Sequence, residues 1–114
     1  MIRQGDVFWL DVGPPIGSGP GFVRPHVVVQ SDTFNESPIR TAVMCGMTTN
    51  LRRARAAGNI LLAEGEANLP SPTVVNVTQV VTVDRSRLEQ QIGRLSPRRL
   101  RQVLAGILMV LEPS

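Results

Sequence analysis

No lysine occurs among the 114 residues, so the formal charge of +3 comes from twelve arginines set against nine acids. Without an amine side chain the protein cannot run Schiff-base chemistry or build a Walker phosphate loop. Tyrosine is also absent, and three Phe with one Trp leave few platforms for stacking successive bases. Cys45 is the single cysteine, which excludes an intrachain disulfide. Together with the single histidine, His26, it cannot supply the usual four zinc ligands, and no HExxH or CxxC occurs. Any chemistry is therefore expected to need no metal and no cofactor. Cys45 lies in the apolar run 42–47, where a buried, inert thiol is the expected reading. No apolar run approaches ~18 residues, so no membrane span is expected. The N-terminus has no basic region followed by an apolar core, which points away from secretion and toward the cytoplasm. A chain of 114 residues fits one domain, 1–114, and not two.

The densest information lies in residues 13–35, GPPIGSGPGFVRPHVVVQSDTFN. Gly13, Pro14, Pro15, Gly17, Gly19, Pro20 and Gly21 rule out helix, whereas residues 26–30 read as a β-branched strand. Arg24 sits where the loop meets the strand. Its guanidinium is always charged and its planar fork matches phosphate oxygens, so an arginine fixed there suits a phosphate or nucleic-acid ligand. Pro25 restricts Arg24 to extended backbone and helps to aim the side chain.

Residues 4–12 read as a strand with Val7 and Trp9 on one face and Phe8 and Leu10 on the other, a pattern that places it centrally in a sheet. Residues 24–30 and 40–48 give two more strands, joined through a turn at residues 31–35. Residues 59–63 form a short fourth. The segment 73–84 is too long for one flat strand, and its alternation shifts around Thr78 and Gln79, so it is two strands or one strand bent by a bulge. Residues 92–95 can add a last short strand. Ser96 can then cap a helix with Pro97 in its first turn, and Leu100, Val103, Leu104, Ile107, Leu108 and Leu111 recur at helical spacing. Arg98, Arg99 and Arg101 sit at the end of that helix where the macrodipole disfavours cations, so solvent, an acidic partner or nucleic acid must offset the cost. Short strands and one terminal helix suggest a small, strongly bent antiparallel barrel, and periodicity alone does not separate an SH3-like barrel from an OB-fold.

GDVFWLDVGPP, GS, a Gly-rich spacer, VRP, a valine run and QSDTFN, followed in order by CGMTTN at 45–50, NLPSPTVVNVTQVVTVDRSRL at 68–88 and IGRLS at 92–96, resemble the MazF/PemK family of toxin ribonucleases. The resemblance covers nearly the whole chain and rests on the ordered series, not on any one motif. It implies a mainly β fold with α, an SH3-like β-barrel of the MazF/PemK/CcdB type with a C-terminal helix packed on it, paired as a homodimer. It also implies a toxin of a type II toxin-antitoxin system: a metal-independent, sequence-specific endoribonuclease acting on single-stranded messenger RNA. Attack by the substrate's 2′-hydroxyl would leave 2′,3′-cyclic phosphate and 5′-hydroxyl ends, and a cognate acidic antitoxin would neutralise the enzyme.

Carried over residue by residue, the resemblance puts Arg24 on the family arginine that contacts the scissile phosphate. It puts Thr48 on the catalytic threonine, with Thr49 as the competing register. Ser18, beside Gly17 in the glycine-rich loop, falls where the MazF-like branch approaches RNA. The PemK-like branch has a histidine there, and this chain carries Asn76 and Thr78 where that branch has a later arginine and aspartate. Asn76 is kept as a substrate-binding candidate. Gly19 replaces a glutamate of many relatives, which weakens any role for a loop carboxylate. His26 is expected to be packed rather than a general base, so the base is not identified. Arg52, Arg53 and Arg55 follow the catalytic strand and can form a phosphate-binding rim, and Gln79 can read a base edge. A CcdB-type gyrase inhibitor is the rival within the same barrel class, and a plain RNA-binding module is a weaker one.

Overall fold

The computed structural model describes residues 1–13 and 23–114. Six antiparallel strands form one curled sheet: β1 (Asp6–Asp11), β2 (Val23–Val28), β3 (Thr41–Thr48), β4 (Ile60–Leu62), β5 (Thr73–Asp84) and β6 (Gln91–Arg94). They run in the order β4-β5-β3-β2-β1-β6, and α2 (Pro97–Leu111) packs on one side. The two edges approach each other through a single 3-10 turn, Glu66–Asn68, which follows β4 and rests against β6. Gly93 of β6 is what lets them meet, since a Cβ there would collide with the Ala67 carbonyl. This is the bent half-barrel that the strand pattern and the family resemblance implied.

Period-two alternation splits the core into two layers. Val7, Val27, Cys45, Met47, Leu62, Leu69, Val75, Val77 and Leu95 pack under Val103 and Ile107 of α2. Phe8, Leu10, Val28, Ala42, Met44 and Val83 fill the opposite face. β1 is apolar on both faces, as expected of a strand with neighbours on each side, and Cys45 is fully buried. Burial pushes its thiol up to about 12, so it is inert at neutral pH.

β5 stays one strand across its bend. Cys45 pairs with Val80 but Met47 with Val75, so β5 carries three residues more than β3 across the break. The extra length falls at residues 76–79, where the alternation shifts. The turn after β2 is a one-turn helix, α1 (Asp32–Asn35), with the Ser31 hydroxyl accepting from Thr33 N at 3.2 Å. Gln30 and Asn35, both buried, satisfy one another and the nearby backbone: Gln30 Nε2 donates to Asn35 Oδ1 at 2.9 Å, and Asn35 Nδ2 donates to the Gln30 carbonyl at 2.9 Å. The QSDTFN segment is thus a structural clamp.

Ser96 caps α2 by accepting from Arg99 N at 3.2 Å, and Pro97 begins the helix. Arg99 answers the unfavourable dipole by an ion pair with Glu66 at 2.9 Å, while Arg98 and Arg101 are exposed. The apolar stripe is only half covered. Val103 and Ile107 are buried, but Leu108 and Leu111 are 62% and 70% exposed, so the sheet does not cover the whole of the stripe that the helical spacing marks. No helix among the described residues is long and apolar enough to cross a membrane.

The helix touches the sheet most closely at Gly106, where a Cβ would collide with the Gly58 carbonyl and lie 2.9 Å from Val77 Cγ1. Gly106→Ala gains about 1 kcal/mol of helix propensity, yet overpacking against a backbone that cannot yield costs about 1–3 kcal/mol. Denaturant unfolding is expected to show a net loss, and increased stability would mean that α2 lifts freely from the sheet.

His26 is 1% exposed, and its Nδ1 lies 3.0 Å from the Arg24 carbonyl. Burial lowers its pKa below the ordinary 6.5. The native state therefore resists protonation while the unfolded chain accepts it, so stability is intact above 6.5 and falls as pH drops toward the lowered native value. The lowered carboxylates Asp32, Glu66 and Asp84 titrate below ordinary values of 3.8 to 4.5, outside that window. His26→Asn, which keeps a donor near Nδ1, is expected to flatten the slope just below 6.5. An NMR titration of the lone imidazole with a midpoint at or above 6.5 would contradict the burial argument.

Candidate functional site at the β2–β3 strand ends

Arg24 enters the sheet at the second residue of β2, opposite Leu10 of β1. On its other side β2 pairs with β3 through His26–Gly46, Val27–Cys45 and Val28–Met44. Continuing that register two residues brings Arg24 opposite Thr48, the last residue of β3. Opposed residues of an antiparallel pair share a face, which would set the Cβ atoms of Arg24 and Thr48 on one face, while the long Arg24 side chain also borders the cavity that Thr49 lines. Both members of the pair are half-buried. Pro25 contributes no N–H to this ladder, which leaves the backbone between them loosely tied.

The Thr48 hydroxyl accepts from Asn50 N at 3.1 Å. With its lone pair so engaged, its own O–H is left to donate outward. Asn50 in turn accepts from Arg52 N at 3.3 Å and caps the 3-10 turn Leu51–Arg55. Arg52, Arg53 and Arg55 are exposed on that turn, and none of them has an ion-pair partner among the described residues.

His26 and Gln79 lie over Gly46 on the face shared by Arg24 and Thr48. A Cβ at position 46 would stand 3.5 Å from His26 Nε2 and 3.2 Å from Gln79 Cβ, so the glycine makes room for both. Buried as it is, His26 contacts the Arg24 carbonyl and exposes almost none of its ring. Gln79 is half-buried in the β5 bulge. Asn76 is brought to the same bulge but away from Arg24: its Oδ1 accepts from Asn59 Nδ2 and from the Thr78 hydroxyl, each at 3.3 Å. Ser18 and Gly17 lie outside the described residues. Among the described residues no three His, Cys, Asp or Glu side chains cluster as metal ligands would.

Sequence reasoning did not single out Trp9, Pro25, Leu69, Pro70 and Ser71 as a group. With Val23, Arg24, Thr49 and Thr73 they line a cavity of about 140 Å³ beside the arginine. The signal was the lone tryptophan on a strand face opposite Pro25. The larger hollows lie elsewhere. One of about 680 Å³ runs between β4 and α2, and one of about 470 Å³ between α1, β3 and the end of α2.

Residues 3–111 match the model of the PemK-like, MazF-like toxins of type II toxin-antitoxin systems. Endoribonuclease MazF6 of Mycobacterium tuberculosis is 35% identical over 112 residues, covering 98% of each chain. Endoribonuclease MazF of Staphylococcus saprophyticus is 31% identical over 104 residues, covering 90% of this chain and 85% of its own. Among solved structures, MazF from Deinococcus radiodurans superposes with a TM-score of 0.78 at 21% identity, covering 96% of both chains. A mycobacterial endoribonuclease in complex with its cognate antitoxin gives 0.77 at 18% identity, covering 97% of this chain and 95% of its own. The half-barrel, the order of its motifs and these relatives agree, and the chain belongs to the PemK-like, MazF-like family of type II toxin-antitoxin toxins.

Proposed function

We propose that the protein is a single-domain toxin endoribonuclease that cuts single-stranded RNA, messenger RNA above all, at the Arg24–Thr48 pair. The observation that supports this reading is the β2–β3 register, which, continued two residues beyond His26–Gly46, would set an arginine and a threonine at adjoining strand ends. The substrate's own 2′-hydroxyl attacks the adjacent phosphorus. Charge then grows on the non-bridging oxygens, where the guanidinium and the Thr48 O–H donate, and preorganised donors of this kind usually supply the largest catalytic term. Departure of the 5′-oxygen leaves a 2′,3′-cyclic phosphate. The chain's only cysteine and histidine are both buried, and every donor in these steps is a side chain of the protein. The general base remains unassigned, because burial removes His26 from the substrate.

Arg52, Arg53 and Arg55 supply a phosphate-binding rim one turn beyond Thr48. Gln79 stands over Gly46 as a reader of base edges, and Ser18 with Gly17 extends the RNA path through the glycine-rich loop. Asn76 has its carbonyl oxygen committed within the fold, so its part in substrate binding is indirect. The same positive rim suits a cognate acidic antitoxin, and relatives are solved with theirs. A homodimer is supported by the apolar groove of about 470 Å³ lined by Phe34, Ile39, Val80, Leu104 and Leu111, which one chain leaves open. The substrate places the enzyme in the cytoplasm. The gyrase-inhibitor rival gains nothing from relatives that are themselves named endoribonucleases.

Purified protein is expected to cut a mixed RNA pool in EDTA and to leave cyclic-phosphate ends. Strict magnesium dependence with 5′-phosphate products would refute the mechanism. Arg24→Ala should lower the cleavage rate by roughly 10²-fold or more, the scale for one lost oxyanion donor. Thr48→Ala should act similarly and Thr49→Ala mildly, and the reverse order would move the catalytic threonine to position 49.

Replacing Arg52, Arg53 and Arg55 together by Ala should weaken binding to every RNA. The salt dependence should become shallower by about 0.7 per lost phosphate contact, with the cleavage motif unchanged. Dissociation constants of matched and scrambled RNAs across a salt series test this, and an unaltered slope would show these side chains to be solvated only.

A further inference from the structure

The cavity beside Arg24 differs in kind from the arginine rim. Trp9 and Pro25 are direct partners across β1 and β2, so their rings lie side by side on one sheet face. Leu69, which is 2% exposed, and Pro70 add apolar wall from the segment before β5. The Thr73 hydroxyl is committed to the Ser71 carbonyl at 2.9 Å, which leaves the Ser71 and Thr49 hydroxyls as small polar groups of the lining. Arg24 borders the same space. Flat apolar walls, two hydroxyls that can donate or accept and a guanidinium at the mouth describe a slot for a planar heteroaromatic group carrying an anion nearby. At about 140 Å³ the slot admits one base and no second residue of a nucleic-acid chain.

We propose that this cavity is a nucleobase subsite, taking the base of a nucleotide whose phosphate Arg24 holds. The proposal rests on the endoribonuclease reading for the identity of the ligand and adds a role for the chain's single tryptophan. Trp9 is half-buried, so it presents part of its ring to the slot while β1 fixes its backbone. Base stacking on such a ring and hydrogen bonds from Ser71 and Thr49 to the base edge would make this a point where sequence is read. The arginine rim, by contrast, meets phosphates that every RNA shares.

Trp9 is the only tryptophan, so its fluorescence reports on the slot without labelling. The wild-type protein is titrated with each of the four nucleoside monophosphates and with ribose 5-phosphate, which keeps the anion and lacks the base. Saturable quenching by the nucleotides, with affinities at least about fivefold apart among the bases and no quenching by ribose 5-phosphate, is the expected result. Equal quenching by ribose 5-phosphate, or none by any nucleotide, overturns the subsite whether or not the protein cuts RNA. A second arm fills the slot with Ser71→Phe at a half-buried loop position, with the fold checked by circular dichroism. KM for RNA should rise by roughly five- to a hundredfold, the range for loss of one stacked base, with kcat little changed. An unchanged KM and cleavage motif in the folded variant also overturns it. If the wild-type protein quenches with nucleotides but cuts no RNA, the endoribonuclease reading fails and the base subsite stands.

Discussion

The register break between β3 and β5 is the constraint on which the rest of the site depends. Three surplus residues in β5 leave backbone groups that the β3 ladder cannot pair, and an unmet buried group costs about 1–3 kcal/mol. Asn59 meets that demand. Its Oδ1 accepts from Val77 N at 2.9 Å, and its Nδ2 donates to the Arg53 carbonyl at 2.8 Å and to Asn76 Oδ1. The Cys45 thiol donates to the Asn76 carbonyl at 3.2 Å from the other side. One asparagine thus ties the bulge to the turn that displays Arg52, Arg53 and Arg55, and the bulge sets Gln79 over Gly46. Without the break, β5 would run flat along β3 and neither the glutamine nor the arginine turn would stand where it does.

β2 serves two faces in consecutive residues. Arg24 and His26 lie on the face of Thr48 and Gly46, while Pro25 lies on the face of Trp9. Because side chains alternate strictly, Arg24 and the Pro25 wall of the cavity leave the backbone on opposite faces, and only the reach of the long guanidinium brings Arg24 to the border of that cavity. His26 supports this arrangement through its Nδ1 contact with the Arg24 carbonyl, while burial of the ring favours its neutral form. The dense valine run after Arg24 is then the anchor that the strand end needs, buried in both core layers.

Much of this was legible in the sequence because the signals were local. The helix start at Ser96 and Pro97, the strand apolar on both faces at 6–11 and the bend near Gln79 all follow from nearest-neighbour chemistry. The Trp9 cavity was not legible, because its walls come from β1, β2 and the segment before β5, which only the closed sheet brings together. Asn59 was unreadable for the same reason: a loop asparagine looks ordinary until the backbone it satisfies is known. The exposed end of α2 shows a different limit of periodicity. Helical spacing reports an apolar stripe without saying what covers it, and here part of the stripe extends past the edge of its own sheet.

The arginines divide by what they meet. Arg94 pairs with the buried Asp6 at 2.8 Å, Arg99 pairs with Glu66, and Arg85 and Arg87 donate to the carbonyls of Phe34 and Asp11. These four are committed to contacts within the fold. Arg52, Arg53 and Arg55 have no such duty and stand exposed around the end of β3, so their field extends into solvent, where it raises the local concentration of polyanions and is screened by salt. Arg24 belongs to neither group: half-buried at a strand end, it keeps less contact with water, so its charge is screened less than theirs. Affinity drawn from exposed charges of this kind is indifferent to sequence, so on the proposed function any preference for one RNA site over another would have to come from groups deeper than the rim.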